Sequence, residues 1–301
     1  MNLHLLDIGG HIWTGSVNKR AVIEGPVIND STGYRTPIIQ SGGLSFIFNK
    51  VYDYAYKDKM IFVGDRYASI KAGMRPTYKS NRNENRGIEI QKELCEIILK
   101  DCGFEVLAEE GYEADDILYT ICENYKKEFD KIYVHTGDGD MYFLVDDNVD
   151  IVPVSSRDKY ICKENYRNTV DKKTITPYNS STFNKVLFGC NSDKVEPLSR
   201  EWQDKLLDAF YNDFYFPLMG NKQFMREVIK AMFPDVLGQF DLIYPLDVKD
   251  LEVDFYKEAD LNKVAAWGNI VGNRKFSRMD NIPESIYSMI NSWFSNSSYS
   301  E

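Results

Sequence analysis

Short apolar runs that end in an acid recur through the first half of the chain. Leu3–Leu6 leads into Asp7, Met60–Val63 reaches Asp65 across Gly64, and Ile132–Val134 passes through His135, Thr136 and Gly137 to Asp138. Short continuous apolar runs bounded by Gly predict buried strands. Between them lie stretches of helical period. Residues 88–101 put Ile90, Leu94, Ile97 and Ile98 on one face, and residues 113–129 put Ile117, Ile121, Tyr125 and Phe129 on another. Strands alternating with helices predict an α/β fold, a parallel sheet with helices on both faces. Ligands of such sheets sit beyond the carboxyl ends of the strands, where all three acids fall. From residue 196 on the pattern is helical: 202–214, 224–232 and an amphipathic last helix over 282–294, punctuated by Pro217, Pro234, Pro245 and Pro283. A soft boundary near 195/196 follows, with a core over 1–195 and a helical region over 196–301.

Composition narrows the class. The chain has 301 residues, 43% hydrophobic and 27% charged, which is globular rather than disordered. No apolar run nears the roughly 18 residues of a membrane span, and the start has no basic n-region, so a cytoplasmic location and no membrane partner are expected. Five cysteines without a CxxC pair, and three scattered histidines, argue against a disulfide scaffold and a zinc site. The net charge of −10 alone argues against a polyanionic partner. It is not evenly spread. Arg66, Lys71, Arg75, Lys79, Arg82 and Arg86 share 21 residues with one acid, Glu84.

The acids cluster too. Asp7, Asp65, Glu113, Asp115, Asp116, Asp138, Asp140 and Asp193 all stand at predicted strand ends or helix starts. Helix capping accounts for one such group, EADD at 113–116. It does not account for GDGD at 137–140, where glycines let the chain turn tightly around two acids. Eight converging carboxylates need cations, and oxygen-only ligands select Mg²⁺ or Mn²⁺. Two such ions suit phosphodiester hydrolysis. Setting these eight aside, the rest of the chain carries −10 + 8 = −2, and the charge no longer opposes nucleic acid.

In this order LDIGG, FVGD, PTYKSNR (76–82), YEADDILYTI (112–121), HTGDGDMYFLV (135–145) and LFGCNSDKV (187–195) resemble the 5′-nuclease, or flap endonuclease, family. That family includes the 5′ exonuclease domain of bacterial DNA polymerase I and phage 5′ nucleases, some called ribonuclease H. The resemblance covers about residues 1–195. It implies a PIN-like core with a basic arch at about 66–92 and two divalent ions. Asp7, Asp65, Glu113, Asp115, Asp116 and Asp138 would serve mainly the first ion; Asp138, Asp140 and Asp193 the second. Lys79 and Arg82 match the catalytic basic pair. Lys71, Arg75, Tyr78, Lys79, Arg82 and Arg86 would contact nucleic acid, with Tyr78 stacking on a terminal base. Implied substrates are DNA with a 5′ end, flap or nick, and RNA in RNA·DNA hybrids, as in primer removal during replication; replication proteins such as a single-strand-binding protein are implied partners.

Three departures stand out. Lys71 occupies a position that is usually Arg in the family. Cys190 stands where the GDxSDN motif has an acid, and no Gly-rich helix-hairpin turn follows in VEPLSREWQDKL. Two other readings stay open: a PIN-type ribonuclease, and a structure-specific binder whose second metal site has decayed through Cys190.

Overall fold

The computed structural model describes residues 1–17, 22–24, 28–30, 33–35, 38–80, 85–154, 160–163, 181–212 and 221–272. Arg82, Pro217 and the expected helix over 282–294 lie outside the described residues. The strands are β1 (Leu3–Asp7), β2 (Val22–Glu24), β3 (Ile28–Asp30), β4 (Gly33–Arg35), β5 (Ile38–Gln40), β6 (Lys59–Val63), β7 (Glu105–Leu107), β8 (Ile132–Thr136) and β9 (Val149–Pro153). The helices are α1 (Ile8–Gly15), α2 (Gly42–Tyr54), α3 (Ser69–Met74), α4 (Arg86–Asp101), α5 (Ala114–Tyr125), α6 (Ser181–Phe188), α7 (Arg200–Leu207), α8 (Lys222–Met232), α9 (Leu237–Ile243) and α10 (Leu261–Gly272). No described helix is long and apolar enough to cross a membrane.

Two compact units emerge, and neither follows the expected 195/196 division. One comprises Met1–Gly10, Lys57–Glu84 and Glu105–Phe255; the other His11–Tyr56, Asn85–Phe104 and Tyr256–Glu301. Helices α7 to α9 therefore belong with the sheet. A composition change along the chain cannot reveal this, because each unit is assembled from three separated segments.

The first unit is built on a fully parallel sheet flanked by helices, in the order β7-β6-β1-β8-β9. The chain adds strands on one side of β1, through β6 and β7, then crosses to the other side with β8. This makes the β1/β8 boundary the switch point, where the loops after neighbouring strands diverge and leave a crevice. Asp7 ends β1, and Asp65 and Asp138 follow β6 and β8 by two residues each. Helix α5 buries Ile117, Leu118, Ile121 and Cys122, all at most 1% exposed, within the core that holds Leu3, Leu5, Ile61 and Val63. At about 1.5–3 kcal/mol for each large apolar side chain, this face fixes the helix start against the strand ends.

The second unit holds two short antiparallel pairs, β2 with β5 and β3 with β4, together with α2, α4 and α10. Asp101 at the end of α4 accepts from Trp267 Nε1 at 2.9 Å and from Lys263 Nζ at 2.8 Å, both on α10. The stripe expected on α4 is displaced. Ile88, Cys95, Ile98 and Leu99 are buried, whereas Ile97 is 38% exposed and Ile90 only half-buried. Leu94 and Ile98 are buried as expected, but the seven apolar residues of this 14-residue window fit two adjacent columns of a helix, and the neighbouring elements select the column.

Candidate active site

The site begins at the carboxyl ends of β1, β6 and β8. Asp7 is nearly buried. Its Oδ1 accepts from Gly10 N–H at 3.0 Å and its Oδ2 from Thr136 Oγ1 at 3.2 Å, so one strand end orients another. A Cβ at Gly10 would fall 2.6 Å from Asp7 Oδ2, so only glycine lets the first turn of α1 approach the carboxylate this closely. Burial first, then the charge of Asp65 and that of Asp138, outweigh those two hydrogen bonds and push the Asp7 carboxyl up to about 7. Asp65 accepts from Ala114 N–H at 3.0 Å, which ties the β6 loop to the start of α5. Asp115 is raised as well, first by burial and then by Asp138, Asp7 and Glu113, against the relief offered by Lys79.

Glu113 is the hinge of the cationic side. Lys71 Nζ donates to its Oε2 at 2.8 Å, Tyr78 Oη donates to the same oxygen at 3.0 Å, and Lys79 Nζ pairs with Oε1. Burial alone would raise the Glu113 pKa; Lys71 and Lys79 outweigh it and hold the carboxyl at about 2. Lys71 is buried and remains charged because Glu113 and Asp116 outweigh its own desolvation. Lys79 sits in the left-handed region, φ 53°, with its N–H donating to the Asp193 carbonyl at 3.0 Å. A non-glycine residue held there is strained by about 1–3 kcal/mol, and the Asp193 contact helps to fix it.

A second group completes the pocket. Asp138 Oδ1 caps the 3₁₀ turn that follows β8 by accepting from Asp140 N–H at 2.9 Å. Asp140 pairs with Lys185 on α6, and the hydroxyl of Thr182 donates to the Asp140 carbonyl at 2.6 Å. Burial and Asp138 together push Asp140 up to about 6 despite Lys185. Gly189, φ 73°, turns the chain after α6; a Cβ there would meet the Val195 carbonyl at 2.5 Å. The tight turn brings in Asp193, whose Oδ2 lies 3.1 Å from Cys190 Sγ. Lys71, Tyr78, Lys79, Glu113, Asp115, Asp138, Asp140 and Asp193 line one pocket.

Among the described residues, no three His, Cys, Asp or Glu side chains stand in ready coordinating geometry. The donor chemistry nevertheless fits hard divalent ions. The acids offer oxygen only, and Asp7, Asp115 and Asp140 carry more negative charge between them than their surroundings neutralise.

Other expected residues lie away from the open pocket or are buried at its edge. Asp116 is fully buried: its Oδ2 accepts from Glu113 N–H at 2.9 Å and its Oδ1 from Leu246 N–H at 2.6 Å, so it fixes the start of α5 instead of facing the pocket. Lys71 and Tyr78, expected on nucleic acid, are buried against Glu113, because α3 and the turn after it point those side chains inward. Arg75 is half-buried, with Nη2 at 3.5 Å from Gln239 Oε1, and Arg86 starts α4 in the other unit. Lys185 was not anticipated. The sequence signal was only its place, one helical turn ahead of Gly189-Cys190.

A family model for the 5′-3′ exonuclease, N-terminal resolvase-like domain matches residues 20–174, just over half of the chain. The chain belongs to that family. The 5′-3′ exonuclease of Aquifex aeolicus is 25% identical over 273 residues, covering 87% of this chain and 89% of that protein. DNA polymerase I of Thermus aquaticus is 27% identical over 216 residues, 68% of this chain; the chain spans only 24% of that polymerase's length. In fold, the bacteriophage T5 D15 flap endonuclease in its complex with DNA and metal ions aligns with a TM-score of 0.54 at 14% identity, over 97% of this chain and 98% of that one. The five-stranded sheet is thus the PIN-like core of 5′ nucleases.

Burial of Asp7, with the charges of Asp65 and Asp138 beside it, should make its ionised form costly to the fold. A carboxyl whose folded pKa is raised to about 7 destabilises the fold when ionised. The penalty grows as pH rises from about 3.9, the unfolded value, and is complete above 7. In chelator, Asp7→Asn should therefore raise the melting temperature, by roughly 2–4 °C for each kcal/mol relieved. The gain over wild type should be larger at pH 8 than at pH 6, where Asp7 is already largely protonated. Equal gains at both pH values in a calorimetric comparison would show that the carboxylate is not repelled.

Proposed function

We propose that the chain is a divalent-metal-dependent nuclease that cuts at free 5′ ends and 5′ flaps of DNA, and also the RNA strand of RNA·DNA hybrids. The observation that carries this reading is the pocket in which Lys79 faces Glu113, Asp115, Asp138, Asp140 and Asp193. Excess carboxylate beside the partly exposed Lys79 ammonium suits a phosphodiester whose charge grows during hydrolysis. Membership of the 5′-3′ exonuclease family supports it, as do the DNA and metal ions held by the T5 relative.

Bound by Asp7, Asp65, Glu113 and Asp115 on one side and by Asp138, Asp140 and Asp193 on the other, two Mg²⁺ or Mn²⁺ ions would supply activation of water and stabilisation of the phosphoryl charge. The protein's own groups do the rest. Lys79 is the catalytic cation: its side chain is 21% exposed, it lines the pocket and its backbone is fixed, so its ammonium can stabilise developing oxyanion charge without reorganising. Lys71 and Tyr78 are positioning residues that hold Glu113 ionised and in place. Gly10 and Thr136 orient Asp7, and Lys185 orients Asp140.

A 5′-labelled flap duplex, incubated with Mg²⁺ and with chelator, tests the reaction. Cleavage should require Mg²⁺ and leave 5′-phosphates; 3′-phosphates would end this reading. Asp138→Asn should cut the single-turnover rate by about 10³-fold or more while substrate affinity persists, the scale of losing several kcal/mol of metal-borne stabilisation.

The two lysines on Glu113 should separate cleanly. Lys79→Ala should lower the single-turnover rate by roughly 10²–10³-fold with a smaller change in affinity. Lys71→Met strands two buried carboxylates, so it should cost about 3–5 kcal/mol of stability as well as activity. Loss of stability without loss of rate in Lys79→Ala would refute its catalytic assignment.

Cys190 predicts the metal demand. A thiol is a poor Mg²⁺ ligand, so the side of the pocket formed by Asp140 and Asp193 should need more Mg²⁺ than a full oxygen set would. Cys190→Asp should shift half-maximal activity to lower Mg²⁺, and Mn²⁺ should help the wild type more than the variant. An unmoved titration in a folded Cys190→Asp protein would leave Cys190 as packing.

A further inference from the structure

The pocket is not charged on every side. Beside its carboxylates and lysines, it is lined by Ile243 and Pro245. Their placement follows from how the segment after α9 is pinned. Tyr244, between them, is fully buried: its ring stacks on Phe240 at 4.2 Å between centroids and meets Phe143 edge-on at 5.4 Å. Its N–H donates to the Phe240 carbonyl at 2.9 Å, Leu246 N–H to Asp116 Oδ1 at 2.6 Å, and Val248 N–H to Thr120 Oγ1 at 2.9 Å. The core and α5 therefore hold the segment, and the side chains on either side of Tyr244 are left to the pocket.

This side differs chemically from the rest. Aliphatic side chains offer no hydrogen-bond donor or acceptor, and Pro245 also lacks a backbone N–H. Nor is it a platform for a base. Tyr78, the one aromatic among the described residues of the lining, has its hydroxyl on Glu113 and the Lys79 ammonium 5.1 Å from its ring centroid. A scissile phosphate held by the charged side carries a sugar on each bridging oxygen, so a sugar must lie close to the phosphorus. A furanose is small, uncharged and rich in C–H, which suits two aliphatic side chains. Its 2′ carbon is a methylene in DNA and carries a hydroxyl in RNA. Against Ile243 and Pro245 that hydroxyl would exchange water for a surface with no partner.

We propose that Ile243 and Pro245 form the wall against which one of the two sugars flanking the scissile phosphate packs, and that this wall favours deoxyribose over ribose there. The inference rests on the nuclease reading and adds to it a sugar preference. The preference is bounded. An apolar wall rejects an added hydroxyl by roughly five- to hundredfold, so RNA is still cut, but more slowly than DNA.

Single-turnover cleavage of 5′-labelled flap duplexes in Mg²⁺ tests this, once the cut is mapped on an all-DNA strand. One ribonucleotide, or one 2′-fluoro nucleotide, is then placed on either side of the cut in turn. On one side, ribose should slow wild type roughly five- to hundredfold. The 2′-fluoro sugar on that side should be cut like deoxyribose, since it brings no hydroxyl to be stranded. Ile243→Thr keeps the branched shape and supplies a partner, so it should bring the deoxyribose-to-ribose rate ratio toward one, whereas Ile243→Val should keep the wild-type ratio. Pro245→Ser should narrow it too. Each ratio comes from one preparation with enzyme in excess, so the folded fraction cancels. Equal rates for ribose and deoxyribose on both sides overturn the proposal. So does equal slowing by ribose and 2′-fluoro, which would place the effect in sugar pucker, and so does a ratio unmoved in both Ile243→Thr and Pro245→Ser. If wild type cuts every substrate alike, only the sugar inference falls; if it cuts none, the nuclease reading falls and takes this inference with it.

Discussion

The cationic contacts of Glu113 are the constraint on which the site depends. A carboxylate at a helix start, nearly buried and with Asp115 and Asp116 beside it, could not stay ionised unaided. Lys71 and Lys79 overcome its burial and keep it charged. Much else follows from satisfying that group. Helix α3 must turn its lysine inward. The turn after α3 must bring Tyr78 and Lys79 back over the pocket, and Lys79 must take a left-handed backbone to do so. The Asp193 carbonyl that receives the Lys79 N–H then couples this turn to the 3₁₀ turn after α6. Distant segments are drawn together by one charge that needs neutralising.

The remaining acids are compensated less completely, and that difference has chemical meaning. Glu113 is held far below the usual carboxylate range, whereas Asp7 and Asp140 are pushed to about 7 and about 6. Carboxylates on opposite sides of the normal value within one site mark an asymmetric field. The lysine-covered side is satisfied by the protein itself. The side lined by Asp7, Asp115 and Asp138 keeps negative charge in excess, which is the electrostatic condition for attracting divalent cations.

Much of this was legible in the order of residue types. The strand ends at Asp7, Asp65 and Asp138, the start of α5 and the acids of the pocket all follow from apolar runs and their terminal residues. Direction was not legible. A six-residue helix such as α3 makes under two turns, so its sequence does not say which column faces inward; Lys71 was therefore expected on nucleic acid and is instead 2% exposed. Asp116 illustrates the same limit. EADD names three acids, but only the return of Leu246 to its Oδ1 commits the last of them to the framework. The two units escaped notice for a related reason, since their segments alternate along the chain. Strands as short as β7, three residues, carry no periodic signal at all.

The departure at Lys71 gains a physical account from this arrangement. Arg at the corresponding position elsewhere in the family suggested a bidentate contact with phosphate, which Lys cannot make. Here the side chain never reaches the surface. Its ammonium lies 2.8 Å from Glu113 Oε2 and 3.3 Å from Asp116 Oδ1, between two carboxylates that belong to one helix start. Such a cleft calls for a compact positive charge with donors in several directions. Because Glu113 Oε2 is shared with the Tyr78 hydroxyl, a planar guanidinium would have to displace that hydroxyl or tilt away from Asp116. Lysine satisfies both acids and leaves Tyr78 in place. What the position requires in this chain is therefore a buried cation that fixes a carboxylate, and the geometry of phosphate recognition does not bear on the choice.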